Sequence, residues 1–199
     1  PPDKYHRFLS QNNAIWPHEK YLNIWLMSET KYPKFWNSIT KLCVPKYRLG
    51  SETLPGLSLP PVPSTWVPKV EQIGILFRMS TFQYFQRSID ATAERELVTC
   101  IGNYLGLLDT WKINNSNVND QCNDTFAYGI VNNNGSLGTN SSWSKEVGSY
   151  RFLSENIMDD PTGTHRSVSK DQALRMYWVL KNCAGRSMWQ SDFALTGKE

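Results

Sequence analysis

The sequence predicts an α+β fold in a single domain, and three observations predict it. Two apolar runs of strand length stand at Tyr21–Met27 and Ile73–Met79. An apolar stripe of helical period runs from Leu97 to Leu108, and a second helix signal with its own start and stop residues spans Ser169–Asn182. A chain that carries both kinds of segment folds as a mixed domain of helices and strands. The 199 residues suffice for one core, and 40% hydrophobic with 20% charged residues is the balance of a globular chain rather than a disordered one. A net charge of +3 without a Lys/Arg run disfavours nucleic-acid binding. No apolar run reaches membrane-spanning length, and no signal peptide is present.

Taken in order, Tyr5, Phe8, Leu9 and Ile15 suggest a short helix near the start. Tyr21–Met27 is nearly continuous in apolar character, as a strand covered on both faces would be. Lys31 to Leu42 suits a short helix. Residues 45–68 carry Leu54-Pro55-Gly56-Leu57 and Pro60-Pro61-Val62-Pro63, which cannot continue a helix. Leu57, Leu59, Val62 and Trp66 in this segment predict that it packs down rather than linking two domains. Ile73–Met79 is the second strand. Asp90 is placed to cap the next helix, with Glu94 and Glu96 near its positive end.

That helix, from Glu96, is the most informative stretch. Leu97, Ile101, Tyr104, Leu105 and Leu108 form one stripe, whereas Thr99 and Asn103, four apart, share another face. Gly106 supplies a residue able to take the positive φ of a helix exit. Lys112 to Lys145 reads as a long polar loop, of the kind that is functional or irregular. In the last helix, Ser169 and Gln172 make a capping box, Ala173, Met176, Tyr177 and Leu180 form the expected buried stripe, and Gly185 ends it.

Four cysteines, at 43, 100, 122 and 183, permit two disulfides in three connectivities. No C-x-x-C occurs, so a zinc ribbon is disfavoured. Cys183 is placed to tie the last helix to a loop through Cys122. Sequons begin at Asn114, Asn123, Asn134 and Asn140, all in the polar loop, where the composition alone produces such triplets.

The stretch E-L-V-T-C-I-G-N-Y-L-G-L-L-D-T-W, from Glu96 to Trp111, resembles the zinc-binding helix of the metzincin metalloproteases, most closely the pappalysin family. That family's pattern is H-E-x-G-H-x-x-G-x-x-H, set in L-x-H-E-I-G-H-Y-L-G-L-x-H-T-W. Leu97, Ile101, Gly102, Tyr104, Leu105, Gly106, Leu107, Thr110 and Trp111 fit it. So do the strand Tyr21–Trp25 with its lead-in Trp16-Pro17-His18-Glu19-Lys20, and Asn156-Ile157-Met158-Asp159-Asp160 at the family's Met-turn. Gln172, Arg175 and Met176 follow the family's final helix in outline. The resemblance spans residues 16–191 and implies a metzincin-like domain over 1–199: a twisted mixed sheet, a central helix, a Met-turn and a C-terminal helix. Two strands and a helix that the family places earlier would lie before Pro1, so the chain is either a piece of a longer protein or does without them.

The resemblance carries the frame without its chemistry. Thr99, Asn103 and Asp109 stand at the three zinc-ligand positions, Cys100 at the general base, and Asp160 at the tyrosine after the Met-turn methionine, Met158. Zinc needs three good protein ligands and an open position for water. Threonine and asparagine are poor donors, so zinc is expected to be absent. Cys122-Asn123-Asp124-Thr125-Phe126 only partly follows the family's calcium-associated C-x-D-x-x-x-D-T-P motif, which makes calcium doubtful.

The function implied is that of a secreted, catalytically inactive relative that binds an extended peptide or protein, or serves as a structural module. Gly74, Ile75, Leu76 and Phe77 would be the cleft rim, offering a strand edge. Thr99 and Asn103 must then face a groove. Two enzymatic alternatives remain. One is an active metallopeptidase with non-standard ligands such as His165, Asp109 and Cys100; His6, His18 and His165 are the only histidines. The other uses Cys100 as a nucleophile and needs a nearby histidine. If the frame is intact, Thr99→His, Cys100→Glu, Asn103→His and Asp109→His together would restore zinc binding.

Overall fold

Alternating large apolar residues in Ile73–Phe77 build the most deeply buried strand. In a computed structural model, which describes residues 2–27, 42–44, 73–78, 92–113, 119–130, 144–147, 150–160, 165–182, 186 and 188, this strand is β3 (Gly74–Arg78). Before it come α1 (Pro2–Gln11), β1 (Ile24–Met27) and β2 (Leu42–Val44). After it come α2 (Thr92–Tyr104), β4 (Trp111–Ile113), β5 (Tyr128–Ile130), β6 (Ser144–Val147), β7 (Tyr150–Leu153) and α3 (Lys170–Asn182). Asp90, the expected helix at Lys31 to Leu42 apart from its last residue, the proline-rich segment 45–68, Gly185, Cys183 and three of the four sequons lie outside the described residues.

The first sheet has the order β1-β3-β2, with β1 parallel and β2 antiparallel to β3. Ile73, Ile75 and Phe77 point to α2 and pack with Cys100 and Tyr104, flanked by Leu22, Leu26, Leu97, Ile101 and Leu105. Leu76, on the opposite face, is also buried, and the Trp25 ring lies across Gly74 on that side. β3 is therefore the strand covered on both faces. β1 is not, because Ile24 is 42% exposed. The Asn23 amide closes the approach to β1: its N–H donates to the Trp16 carbonyl at 2.8 Å, and its oxygen accepts the Trp16 N–H at 3.1 Å.

β3 has neighbours along both edges, so Gly74, Ile75, Leu76 and Phe77 do not form a free cleft rim. The sequence shows only that this run is apolar, and an apolar run is as suited to a sheet centre as to a rim.

The long polar loop also contains regular structure. β4 and β5 pair in parallel, Trp111 opposite Tyr128, and β6 and β7 form an antiparallel pair, Ser144 opposite Leu153. Strands this short carry little periodicity, but Gly148-Ser149 between β6 and β7 is a hairpin signal.

Both long helices are capped by distant parts of the chain. α2 exits through Gly106 at φ +89°, a conformation in which a Cβ would be strained. α2 has no basic residue of its own in the last turn. Instead Arg186 donates from Nε to the Tyr104 carbonyl, and Arg175 donates from Nε to the Gly106 carbonyl at 2.7 Å. Two guanidinium groups thus meet the negative end of the helix dipole. At the start of α3 the expected capping box is present: Gln172 N–H donates to Ser169 Oγ at 3.2 Å, and Ser169 N–H donates to Gln172 Oε1 at 3.0 Å. Asp124 adds a second cap from across the fold, accepting the Asp171 N–H at 3.0 Å. The Ser169 hydroxyl and the Asp171 N–H hold the Asp124 carboxyl below the usual carboxylate range.

The buried stripe of α3 is Gln172, Arg175 and Val179, whereas Ala173 and Tyr177 are exposed. Hydrophobicity alone selects the wrong face here. Gln172 and Arg175 are drawn inward by the hydrogen bonds they complete. Among the described residues, no helix is long and apolar enough to cross a membrane.

Candidate functional site

The centre of interest is where α2 meets the turn at Asn156–Asp160. Gly102 has no side chain, and this lets Met158 approach the helix: a Cβ at position 102 would lie 2.5 Å from Met158 Sδ. The turn is fixed by Asn156, whose Oδ1 accepts the Met158 N–H at 2.9 Å and whose amide exchanges bonds with Gln172. The Met158 carbonyl in turn accepts the Thr110 N–H at 3.1 Å.

Thr99 lies inside this junction, 1% exposed. Its hydroxyl is 3.0 Å from the Ile157 carbonyl and 3.2 Å from His165 Nδ1. His165 Nε2 is 2.8 Å from the Asp160 carbonyl. A carbonyl only accepts, so Nε2 carries a proton. His165 holds this pose at φ +53°, a conformation uncommon outside glycine. Asn103 is buried as well, at 4% exposure, and its Oδ1 has no hydrogen-bond partner among the described residues. Thr99 and Asn103 therefore belong to a packed interior. Among the described residues, these two side chains are packed against protein rather than turned to solvent.

Cys100 turns the other way. It is fully buried among Ile73, Ile75, Phe77 and Tyr104, against β3. A group in that place has no access to a substrate. Asp109 is half-buried beyond the helix exit. His165, Asp109 and Cys100 are not brought together. Among the described residues, no group of three or more His, Cys, Asp or Glu is arranged to hold a metal. The donors at the three ligand positions do not suit zinc either: a hydroxyl engaged with His165 and Ile157, a buried amide, and one carboxyl group.

Beside this junction lies a polar cluster that sequence reasoning missed. The Tyr128 hydroxyl is 2.7 Å from Asp159 Oδ1 and 2.8 Å from Asp160 Oδ2. The Thr110 hydroxyl reaches Asp159 Oδ1 at 3.1 Å. Both aspartates are buried. Burial, and then the two carboxyl groups, push the Tyr128 phenol far above its usual range, so it keeps its proton. Asp160 is thus engaged inside the protein, its carboxyl group with Tyr128 and its carbonyl with His165.

Cys100 and Cys122 are free thiols, and Cys183, the partner expected for Cys122, lies outside the described residues. Burial and the Asp120 carboxyl push the Cys122 thiol up to about 11, partly offset by Arg175. At about pH 8 roughly one such thiol in a thousand is ionised. Iodoacetamide is accordingly expected to leave Cys100 and Cys122 unmodified in the folded protein and to label both after unfolding, as read by peptide mass mapping. Rapid native labelling of Cys100 would reinstate the thiol-nucleophile alternative. The Asp124 carboxyl, which a calcium site would require, is engaged with the start of α3.

Comparison of the chain with family models, with curated proteins and with solved structures finds no match.

Proposed function

We propose that this chain is a non-catalytic module on a metzincin-like frame, secreted, whose former metal-binding face has been filled in, and that it works by binding a peptide or protein. The sequence resemblance supplies the frame. The observation that carries the non-catalytic half is the hydrogen bonding of Thr99 to Ile157 and His165, in the place where a first zinc ligand would stand. That hydroxyl directs its one proton to a backbone carbonyl and lies against an imidazole inside the protein, and a neutral hydroxyl is a poor zinc donor. Cys100 in the hydrophobic core extends the same argument to the general base.

Metal analysis with an activity assay tests this reading. The purified chain, incubated with zinc and dialysed, is expected to retain no stoichiometric metal and to leave casein uncut. Stoichiometric zinc together with chelator-sensitive cleavage would establish the active metallopeptidase instead.

A further inference from the structure

A cleft of about 370 Å³ opens on the far side of the Met158 turn, with Thr110 at its floor. Its size is within the range of small-ligand sites. Phe126, Phe152 and Leu153 supply apolar surface, and the two phenylalanine rings meet at a tilt of 45° with centroids 4.4 Å apart. Phe126 is 49% and Leu153 66% exposed, so these faces are turned to solvent. Val168 adds a further apolar side chain, the rest of the described lining is polar, and its ionisable members are Asp124 and Glu155. Glu155 is exposed.

More carboxyl groups stand directly behind the walls. Thr110 hydrogen-bonds Asp159, which shares the Tyr128 hydroxyl with Asp160, and Thr125 donates to Asp120 at 2.6 Å. Two buried aspartates, Asp120 and Asp159, therefore lie one hydrogen bond from the lining, and Asp159 Oδ2 is buried with no partner among the described residues. Among the described cations near in sequence, Arg166 and Lys170 lie outside the lining, and Arg175 is buried with its Nε on the Gly106 carbonyl. The ionisable groups that the lining itself presents are thus both carboxyl groups, although the chain as a whole carries +3.

We propose that this cleft binds the cationic side chain of an extended peptide, an arginine or lysine, with the Phe126 and Phe152 faces against the cation and Glu155 as its ion-pairing partner. Aromatic faces attract cations, and a carboxylate adds a charge-assisted hydrogen bond to a guanidinium or ammonium group. This inference rests on the peptide-binding reading above and names what the peptide must carry.

Isothermal titration of the full chain with two capped hexapeptides in a glycine-serine background tests it. One has a central arginine and the other citrulline, its neutral isostere. The arginine peptide is expected to bind about tenfold tighter, with the margin shrinking as salt is raised. Glu155→Gln and Phe126→Ala, both at exposed positions, are each expected to erase the margin while circular dichroism stays unchanged. Equal affinity for the two peptides, absence of binding by either, or a margin untouched by both variants would overturn the inference. None of those results bears on the non-catalytic reading, which falls only to zinc uptake and cleavage.

Discussion

Cys100→Glu is expected to unfold the protein at neutral pH rather than to restore a general base. The position is fully buried against Ile73, Ile75 and Phe77, where an ionised carboxylate has neither water nor a donor set to receive it. The cost is about 3–5 kcal/mol at neutral pH, the scale of a buried glutamate whose pKa rises by three to four units. Its sign can be checked independently. A folded-state pKa raised above the unfolded value of about 4.3 leaves the neutral acid favoured, so the penalty vanishes below that pH and grows as pH rises. Urea unfolding of the variant should therefore lie closest to wild type in acid and diverge toward neutrality. The same reasoning reverses the expectation for the fourfold repair. Thr99→His, Cys100→Glu, Asn103→His and Asp109→His would place a carboxylate in the core and two imidazoles in a packed junction, and the combined variant is expected not to fold. A Cys100→Glu protein as stable as wild type at neutral pH would show that this position faces an open groove.

Arg175→Met is expected to have the next largest effect. The guanidinium Nε donates to the Gly106 carbonyl, and the group is half of the arginine pair that closes the end of α2. Methionine preserves much of the buried stem and removes the donor. The loss is about 2–3 kcal/mol, that of a charged hydrogen bond to a carbonyl left without its partner. Thermal unfolding checks it, and a change under about 0.5 kcal/mol, typical of an uninvolved surface site, would contradict the capping role. Removing this cation also deprives Cys122 of the one neighbour that lowers its pKa, so any residual alkylation there should slow further.

What could be read from the sequence was local. The stripe that begins α2, the glycine exit at Gly106 and the capping box at Ser169 and Gln172 all lie within a few residues of what they organise. Non-local partnerships were hidden. Thr99 is buried because Ile157 and His165, more than fifty residues later, close over it. The α3 stripe was misassigned for the same reason: Gln172 and Arg175 are held inside by Asn156 and Gly106, which no periodicity reveals, while Tyr177 remains 56% exposed. β3 shows the limit of an apolar run, whose composition cannot tell a central strand from a cleft rim.

Anomalous scattering at the zinc edge, from crystals of the intact chain grown with zinc, tests the filled-in junction most directly. The expected map has no peak among Thr99, Asn103 and Asp109, with the Thr99 hydroxyl within hydrogen-bonding distance of His165. A peak about 2.1 Å from His165 or Asp109, with His165 swung away from Thr99, would contradict it.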